Sequence, residues 1–356
     1  MPKPSVCIKV PKSSGEKTLT LTSKFGLSDK SLVIQREQDS LCIPLVREPQ
    51  GIELTTLQRQ IHKFSLLTAV FSEKQLPPET LTQSLQDKLP ADLLSAVPQA
   101  FDIIGDIVVI DIPPKLKLYQ NAIGEAFLHT QKNVTTVLAK ASDIGGVFRV
   151  RDYDYIAGEH KTQTIHREFG CQYHVDIAKA YFSPRLSHEH ERVAVQVQDG
   201  EVVADLFAGV GPFSVLIGKR NPTVKVYAVD LNPDAVELLK VNLCVNRVEG
   251  RVFPILADAR EIAQTKLKAA ADRVIMNLPE TAIDFVDAAC NAIKSEGGVV
   301  HFYGFVREPD LIENLKQRFS ELVERNGRRV EAYLYAKSIR ETAPFESQVV
   351  LDAKIV

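Results

Sequence analysis

The chain has 356 residues, of which 45% are hydrophobic and 25% charged, with a formal net charge of −2. This composition excludes a disordered or fibrous polypeptide and leaves room for two or three domains with sizeable cores. It also excludes a membrane-spanning protein, because no apolar run approaches the roughly 20 residues that a bilayer requires.

From residue 1 to about 70 the chain reads as a small mixed α/β unit. "SVCIKVP" and "SLCIPLV" carry the β-branched residues of strands, and "GEKTLTLTSKFGL" reads as a short helix closed by Gly26. The segment "MPKPSVCIKV" lacks the long apolar stretch of a secretory signal. A polar, proline-bearing run, "SEKQLPPETLTQSLQDKLP", marks a boundary. In a second, α+β region (71–174), "FDIIGDIVVIDIP" suits one buried strand and "YQNAIGEAFLHTQKN" has helical spacing. "TTVLAKA" and "GGVFRVRDYDYIAG" read as strands, the latter led by a glycine turn, so that Arg149 and Arg151 alternate on one strand and face opposite ways. From 175 to 356 strand-like segments ("VVADLFAG", "KVYAVDL", "RVFPILAD", "DRVIMNLP", "GGVVHFYGF") alternate with helix-like ones, and two further strands close the chain. This alternation predicts an α/β fold with a mostly parallel sheet covered by helices on both faces. In such sheets ligands bind beyond the carboxyl ends of the strands, so residues just after "VVAD", "YAVD", "ILAD" and "MNLP" should share one cleft.

Within "VVADLFAGVGPFSV" lies a glycine turn that departs from G-x-G-x-x-G: Ser214 stands where the third glycine belongs. That third glycine permits close helix–strand packing under a pyrophosphate, so a dinucleotide is disfavoured. Gly209 and Gly211 still let backbone approach a ligand closely. Asp205 is placed to meet an ammonium, Asp230 to accept both hydroxyls of a ribose, and Asp258 to accept from an adenine amino group. With Phe207, Ala208, Leu231 and Ala259 as neighbours, the set fits an adenosine joined to a cationic amino acid: S-adenosylmethionine (SAM). "NLPE", Asn277 to Glu280, resembles the N-P-P-Y type motif of amino- and base-methyltransferases, with departures at the second and fourth positions. The alternative for it is an Asn cap before a proline-led helix start.

Five cysteines (Cys7, Cys42, Cys171, Cys244, Cys290) lie far apart without a C-x-x-C, which reads as free thiols in a reducing, cytoplasmic setting. His188 and His190 flank Glu189 without a third ligand nearby, so no metal is expected. The near-neutral net charge gives no sign of a nucleic-acid partner, although a local basic surface would suffice. The scatter "KQRF…RNGRR…AKSIR" is either such a surface or ordinary solvated charge.

Taken together, "FDIIGDIVVIDIP", "GVFRVRDYDYIAGEHKTQTIHREFGCQYHVDIAKAYFSPRL", "DLFAGVGPFS", "YAVDLNPDAVELLKVN" and "RVIMNLPE" resemble the archaeal and eukaryotic tRNA (guanine-N1)-methyltransferase family that acts on guanine 37. The resemblance implies a class I, Rossmann-like SAM-dependent methyltransferase domain (175–356) preceded by two smaller RNA-binding domains, 1–70 and 71–174. It implies a small N-terminal domain that touches the outer corner of tRNA, with the rest holding the anticodon stem and loop; a monomer is expected. Guanine N1 is a poor nucleophile while it keeps its proton, so the reaction needs a base near N1 and a positive group near O6. The family pattern matches these roles to Glu189 and Arg149, with Glu191 as the off-by-two alternative base. Asn277 would hold the guanine edge and also border the cofactor, Pro279 would shape the guanine pocket and Tyr181 would pack on the base. Where the family often has glycines this chain has Ser187 and His188. No cysteine adjoins "NLPE" or "SPRL", so direct transfer without a covalent enzyme intermediate is expected. The alternatives are a wybutosine-pathway enzyme on the same fold, a tRNA-binding scaffold with a silent SAM fold, and a small-molecule methyltransferase.

Overall fold

The computed structural model describes residues 2–73, 80–307 and 312–356; residues 74–79 of the proline-bearing run and 308–311 before the last helix lie outside them. The chain divides into two compact units, Met1–Thr80 and Leu81–Val356.

The first unit contains β1 (Lys3–Pro11), α1 (Gly15–Lys24), β2 (Gln35–Arg36), β3 (Ser40–Pro44), α2 (Ile52–Gln60) and β4 (Ser65–Phe71). The strands form an antiparallel sheet in the order β2-β3-β1-β4. Ile8, Val10, Ile43, Leu45 and Leu57 make its core. Gly26, at φ +66, ends α1 in the left-handed conformation that a side chain resists.

The second unit opens with two short helices, α3 (Leu81–Leu85) and α4 (Ala91–Leu94), followed by β5 (Phe101–Ile104) and β6 (Ile107–Ile110). These two strands pair antiparallel. The apolar run read as one strand is therefore a tight hairpin, turned at Gly105 with φ +58. Periodicity could not reveal this, because both strands of the hairpin are apolar. Then come α5 (Gln120–Thr130), β7 (Thr136–Lys140) and β8 (Tyr153–Gly158), completing a four-stranded sheet in the order β5-β6-β7-β8. A two-stranded ribbon, β9 (Gln163–Glu168) and β10 (Cys171–Asp176), follows.

The remaining elements are α6 (Ser187–Ala194), β11 (Val202–Asp205), α7 (Pro212–Arg220), β12 (Lys225–Asp230), α8 (Pro233–Asn246), β13 (Val252–Leu256), α9 (Ala259–Gln264), β14 (Arg273–Met276), α10 (Val286–Ala292), β15 (Gly298–Arg307), α11 (Ile312–Arg325), β16 (Val330–Ala343) and β17 (Glu346–Ile355). They build a seven-stranded sheet in the order β13-β12-β11-β14-β15-β17-β16. Pairing is parallel from β13 to β15 and antiparallel from β15 through β17 to β16. The order reverses at β11, and Asp205, Asp230 and Met276 all end strands on the same edge.

The ribbon is tied to this sheet layer by two asparagines one helical turn apart on α8. Asn242 Oδ1 accepts the His174 N–H at 2.6 Å and Asn246 Oδ1 accepts the Gln172 N–H at 2.9 Å, while their amides donate back to the same two residues' carbonyls. Asn242 also donates to the Val210 carbonyl inside the glycine turn at 2.9 Å. Two side chains thus satisfy a strand edge that would otherwise be left unpaired.

Candidate active site

Beyond the carboxyl edge of the parallel strands lies a cleft of about 340 Å³, within the range of small-molecule sites. Eleven of the residues expected at the site line it: Arg149, Tyr181, Phe207, Ala208, Gly209, Asp230, Leu231, Asp258, Ala259, Asn277 and Pro279. Glu189, Asp205 and Gly211 do not.

The glycine turn explains part of this division. Gly211 has φ +90 and caps α7, with Pro212 at the first helical position. A Cβ there would lie 2.4 Å from Leu239 Cδ1, so its glycine serves packing behind the turn. Gly209, at φ +56, faces open space, with its nearest neighbour the Tyr181 carbonyl at 3.7 Å. Its N–H donates to Asp230 Oδ2 at 2.6 Å, while Asp230 Oδ1 accepts the Asn232 N–H at 2.8 Å. Asp230 therefore holds the turn and presents a carboxylate to the cleft, with burial raising its pKa above the ordinary aspartate value.

Asp205 is not where a ligand ammonium could meet it. It is buried, and its Oδ2 accepts from the Ser214 hydroxyl at 2.7 Å. The residue that replaces the third glycine is thus the one that keeps this carboxylate beneath the turn. Its Oδ1 has no partner, and burial pushes its pKa up to about 7. Asp258 has a structural role that the strand-end reading did not include. Its Oδ1 caps α9, accepting from the N–H groups of Arg260 and Glu261, and the residue lines the cleft.

Asn277 follows β14, and its Oδ1 is buried in the cleft wall without a partner. A buried acceptor left unmade is costly, and because this one lies in the cleft wall a donor on a bound molecule could satisfy it. Arg149 lines the same cleft, and its position corrects the sequence reading. Residues 149 and 151 do not alternate on a strand, because β8 starts only at Tyr153. Arg149 sits in a turn led by Gly145 and Gly146, at φ +55, with its N–H bonded to the Gly146 carbonyl. Its guanidinium is bidentate on Glu280, at 2.6 and 3.0 Å, and lies 5.8 Å from the centre of the Tyr181 ring. The fourth residue of "NLPE" is therefore the counter-ion of the expected catalytic arginine, a pairing across 131 residues of sequence.

Glu189 lies behind the wall. Both of its oxygens accept from Arg192, at 3.1 and 3.0 Å, and Oε2 also accepts from the Tyr303 hydroxyl at 3.0 Å. Arg192 continues to Asp352, which accepts from His301 Nδ1 at 2.7 Å. The neighbours of Glu189 on the same turn, Leu186 and His190, are the ones that reach the cleft. His190 is buried, with Nδ1 2.7 Å from Glu168 Oε1. Glu191 points elsewhere, paired with Arg220. Ser187 and His188 begin α6 in helical conformation, so no glycine is required there. Among the described residues no three His, Cys, Asp or Glu side chains converge as metal ligands, and no helix is long and apolar enough to cross a membrane.

Residues 164–331 match the TRM5/TYW2 methyltransferase domain, 81–162 the TYW2 N-terminal domain, and 7–53 the tRNA methyltransferase 5 N-terminal domain. The chain is 38% identical to tRNA (guanine(37)-N(1))-methyltransferase Trm5b of Pyrococcus abyssi over 99% of both chains. It belongs to the TRM5/TYW2 methyltransferase family. A solved complex of aTrm5 with tRNALeu is 33% identical, with TM-score 0.75, over 98% of this chain and 99% of that one. The tRNA(Phe) (4-demethylwyosine(37)-C(7)) aminocarboxypropyltransferase of Methanocaldococcus jannaschii is 34% identical, over 70% of this chain and 96% of that protein.

Several cleft residues of this TRM5/TYW2 methyltransferase escaped the sequence reading. Asn232 lines the cleft and caps α8, and the Asn-Pro pair ahead of an apolar-periodic run signals that cap. Phe285 packs edge-on against Phe207 at 5.1 Å, and both line the cleft. His190 and Glu280 adjoin residues that had been singled out, yet nothing local shows which neighbour turns inward.

Proposed function

We propose that the chain transfers the methyl group of SAM to N1 of guanine 37 in tRNA. The observation that carries this reading is one cleft lined by the strand-end acids, the glycine turn, an unpartnered Asn277 acceptor and an arginine. The match of the whole chain to Trm5b supports it. SAM fits the residues present. Asp230 would take the ribose hydroxyls, Asp258 the adenine edge, and Phe207, Leu231 and Ala259 supply apolar walls. When bound, SAM supplies an electrophilic methyl group.

The remaining chemistry falls to the chain's own side chains. Guanine 37 leaves its stack, at a cost of a few kcal/mol. Tyr181 offers it a face, and Asn277 Oδ1 accepts from an N–H on its edge. Arg149 meets the charge that accumulates on O6 as the N1 proton departs. We assign that proton to Glu189, which adjoins the cleft-lining His190 and must give up the Tyr303 hydroxyl and turn toward the cleft to receive it. We assign anticodon-loop contacts to the second unit and outer-corner contacts to the first. The protein acts in the cytoplasm.

Incubation of unmodified tRNA transcripts with SAM labelled either in the methyl or in the carboxyl group, followed by nucleoside analysis, tests the reading. Methyl label in 1-methylguanosine, from transcripts with guanine but not adenine at 37, is the expected result. Carboxyl label in the RNA would instead mean aminocarboxypropyl transfer and would overturn it.

A further inference from the structure

A second pocket, of about 230 Å³, opens beside the cleft and shares Arg149, Tyr181, Phe182, Ser183 and Glu280 with it. Its charges do not cancel. Among the described residues its lining carries five cations and three carboxylates. Arg149 is neutralised by Glu280 and Arg185 by Asp102. That leaves Lys140, Arg151 and Arg340 against Glu341. Arg340 spends its Nε–H on the neutral Gln348 amide. Lys140 makes one long ion pair among the described residues, with Asp111 at 3.9 Å, and Asp102 adds a weaker attraction. Half-buried Arg151 has no hydrogen-bond or ion-pair partner among the described residues. Burial first, and then the charge of Arg151, hold the Lys140 ammonium below the ordinary lysine value. Like charges brought together in a partly dry pocket are unfavourable unless an anion joins them.

The anion must sit within one pocket's width of the cleft where the acceptor base is held. We infer that this pocket binds a backbone phosphate of the RNA next to the target guanosine, with Lys140 and Arg151 as its main partners and Arg340 at the rim. The inference rests on the reading of the chain as a tRNA methyltransferase and deepens it. A phosphate fixed here sets the register of the strand, so that the neighbouring base alone reaches the cleft; phosphate contacts position and do not read sequence. It also gives a role to the arginine of "AKSIR", which the sequence left between RNA contact and solvated charge.

The test uses the full-length protein, an anticodon stem-loop RNA, and the same RNA with single neutral methylphosphonate linkages placed in turn on either side of the target guanosine. The variants are Lys140→Met, Arg151→Ala and the two combined. Unchanged SAM affinity by calorimetry establishes that each is folded. The double variant should bind the natural RNA about tenfold more weakly. Its slope of log affinity against log salt should be shallower by about 0.7–1.5. One methylphosphonate should weaken the parent protein and leave the double variant indifferent. If that linkage weakens both equally, or if the double variant keeps the parent's affinity and slope, the phosphate lies elsewhere and the inference falls. A parent protein that shows no salt-dependent RNA binding at all would bring down the tRNA reading itself. Arg151→Lys, which keeps the charge, should retain most of the slope; complete loss with lysine would mean that shape rather than charge is at stake.

Discussion

Glu280→Gln separates the two roles that the Arg149–Glu280 pair can have. The pair is bidentate, with Arg149 15% exposed at its side chain and Glu280 53% exposed. So open a carboxylate is screened by solvent, and the pair stabilises the free protein by only about 0.5–1 kcal/mol. A guanine O6 that recruits Arg149 must share or displace this partner. Removing the carboxylate charge should therefore strengthen RNA binding by roughly two- to fivefold at low salt. The gain should fade as salt rises. Glutamine still accepts one hydrogen bond, and the Tyr181 ring remains beside the guanidinium. Arg149 should then stay near its place, and the single-turnover methylation rate at saturating RNA should fall less than tenfold. Arg149→Ala should cost far more in rate, because a donor aimed at developing charge is typically worth about 10²–10³-fold. The assay is single-turnover methylation across an RNA titration at saturating SAM. Weaker RNA binding by Glu280→Gln, or a rate loss as large as that of Arg149→Ala, would show that Glu280 touches the substrate itself and refute the counter-ion argument.

Asp230→Ala should weaken SAM binding by about 1–3 kcal/mol in calorimetry and lower the melting temperature too, since the Gly209 and Asn232 N–H groups lose their acceptor; intact stability would deny its structural half. Gly211→Ala should destabilise by roughly 2–3 kcal/mol in denaturant unfolding, combining left-handed strain with the contact on Leu239. Gly209→Ala should cost clearly less stability, because its Cβ meets nothing within 3.7 Å. Asp205 binds its proton more tightly folded than unfolded, at about 7 against 3.8, so its contribution to stability is fullest below 3.8, declines as pH rises, and levels off above about 7. Asp205→Asn should therefore gain stability relative to the parent between pH 5 and pH 8; equal melting shifts at both values would show that the buried carboxylate does not titrate there. Glu189→Gln should slow single-turnover methylation about 10²–10⁴-fold with little change in RNA or SAM affinity, and a normal rate would remove Glu189 from the proton transfer.

The sequence by itself determined the alternating architecture and the glycine turn, because these depend on residues close together in the chain. Hydrophobic periodicity places β11 to β15 and their helices, and Asp230 and Asp258 follow from strand ends in a parallel sheet. What periodicity cannot carry is direction across the fold. The β5–β6 hairpin was hidden inside one apolar run. Arg149 turned out to occupy a left-handed turn rather than a strand, so alternation was the wrong rule for its aim. Asp205, alike in sequence to Asp230, is drawn under the turn by Ser214, while Asp230 faces the cleft. The helix that bears Glu189 is legible, but whether Glu189 or His190 reaches the cleft depends on Arg192, Tyr303 and Glu168, three partners that local pattern does not connect. The departure in "NLPE" becomes meaningful only when residue 280 meets residue 149, because an ion pair is decided by distance in space and the chain records only distance along itself.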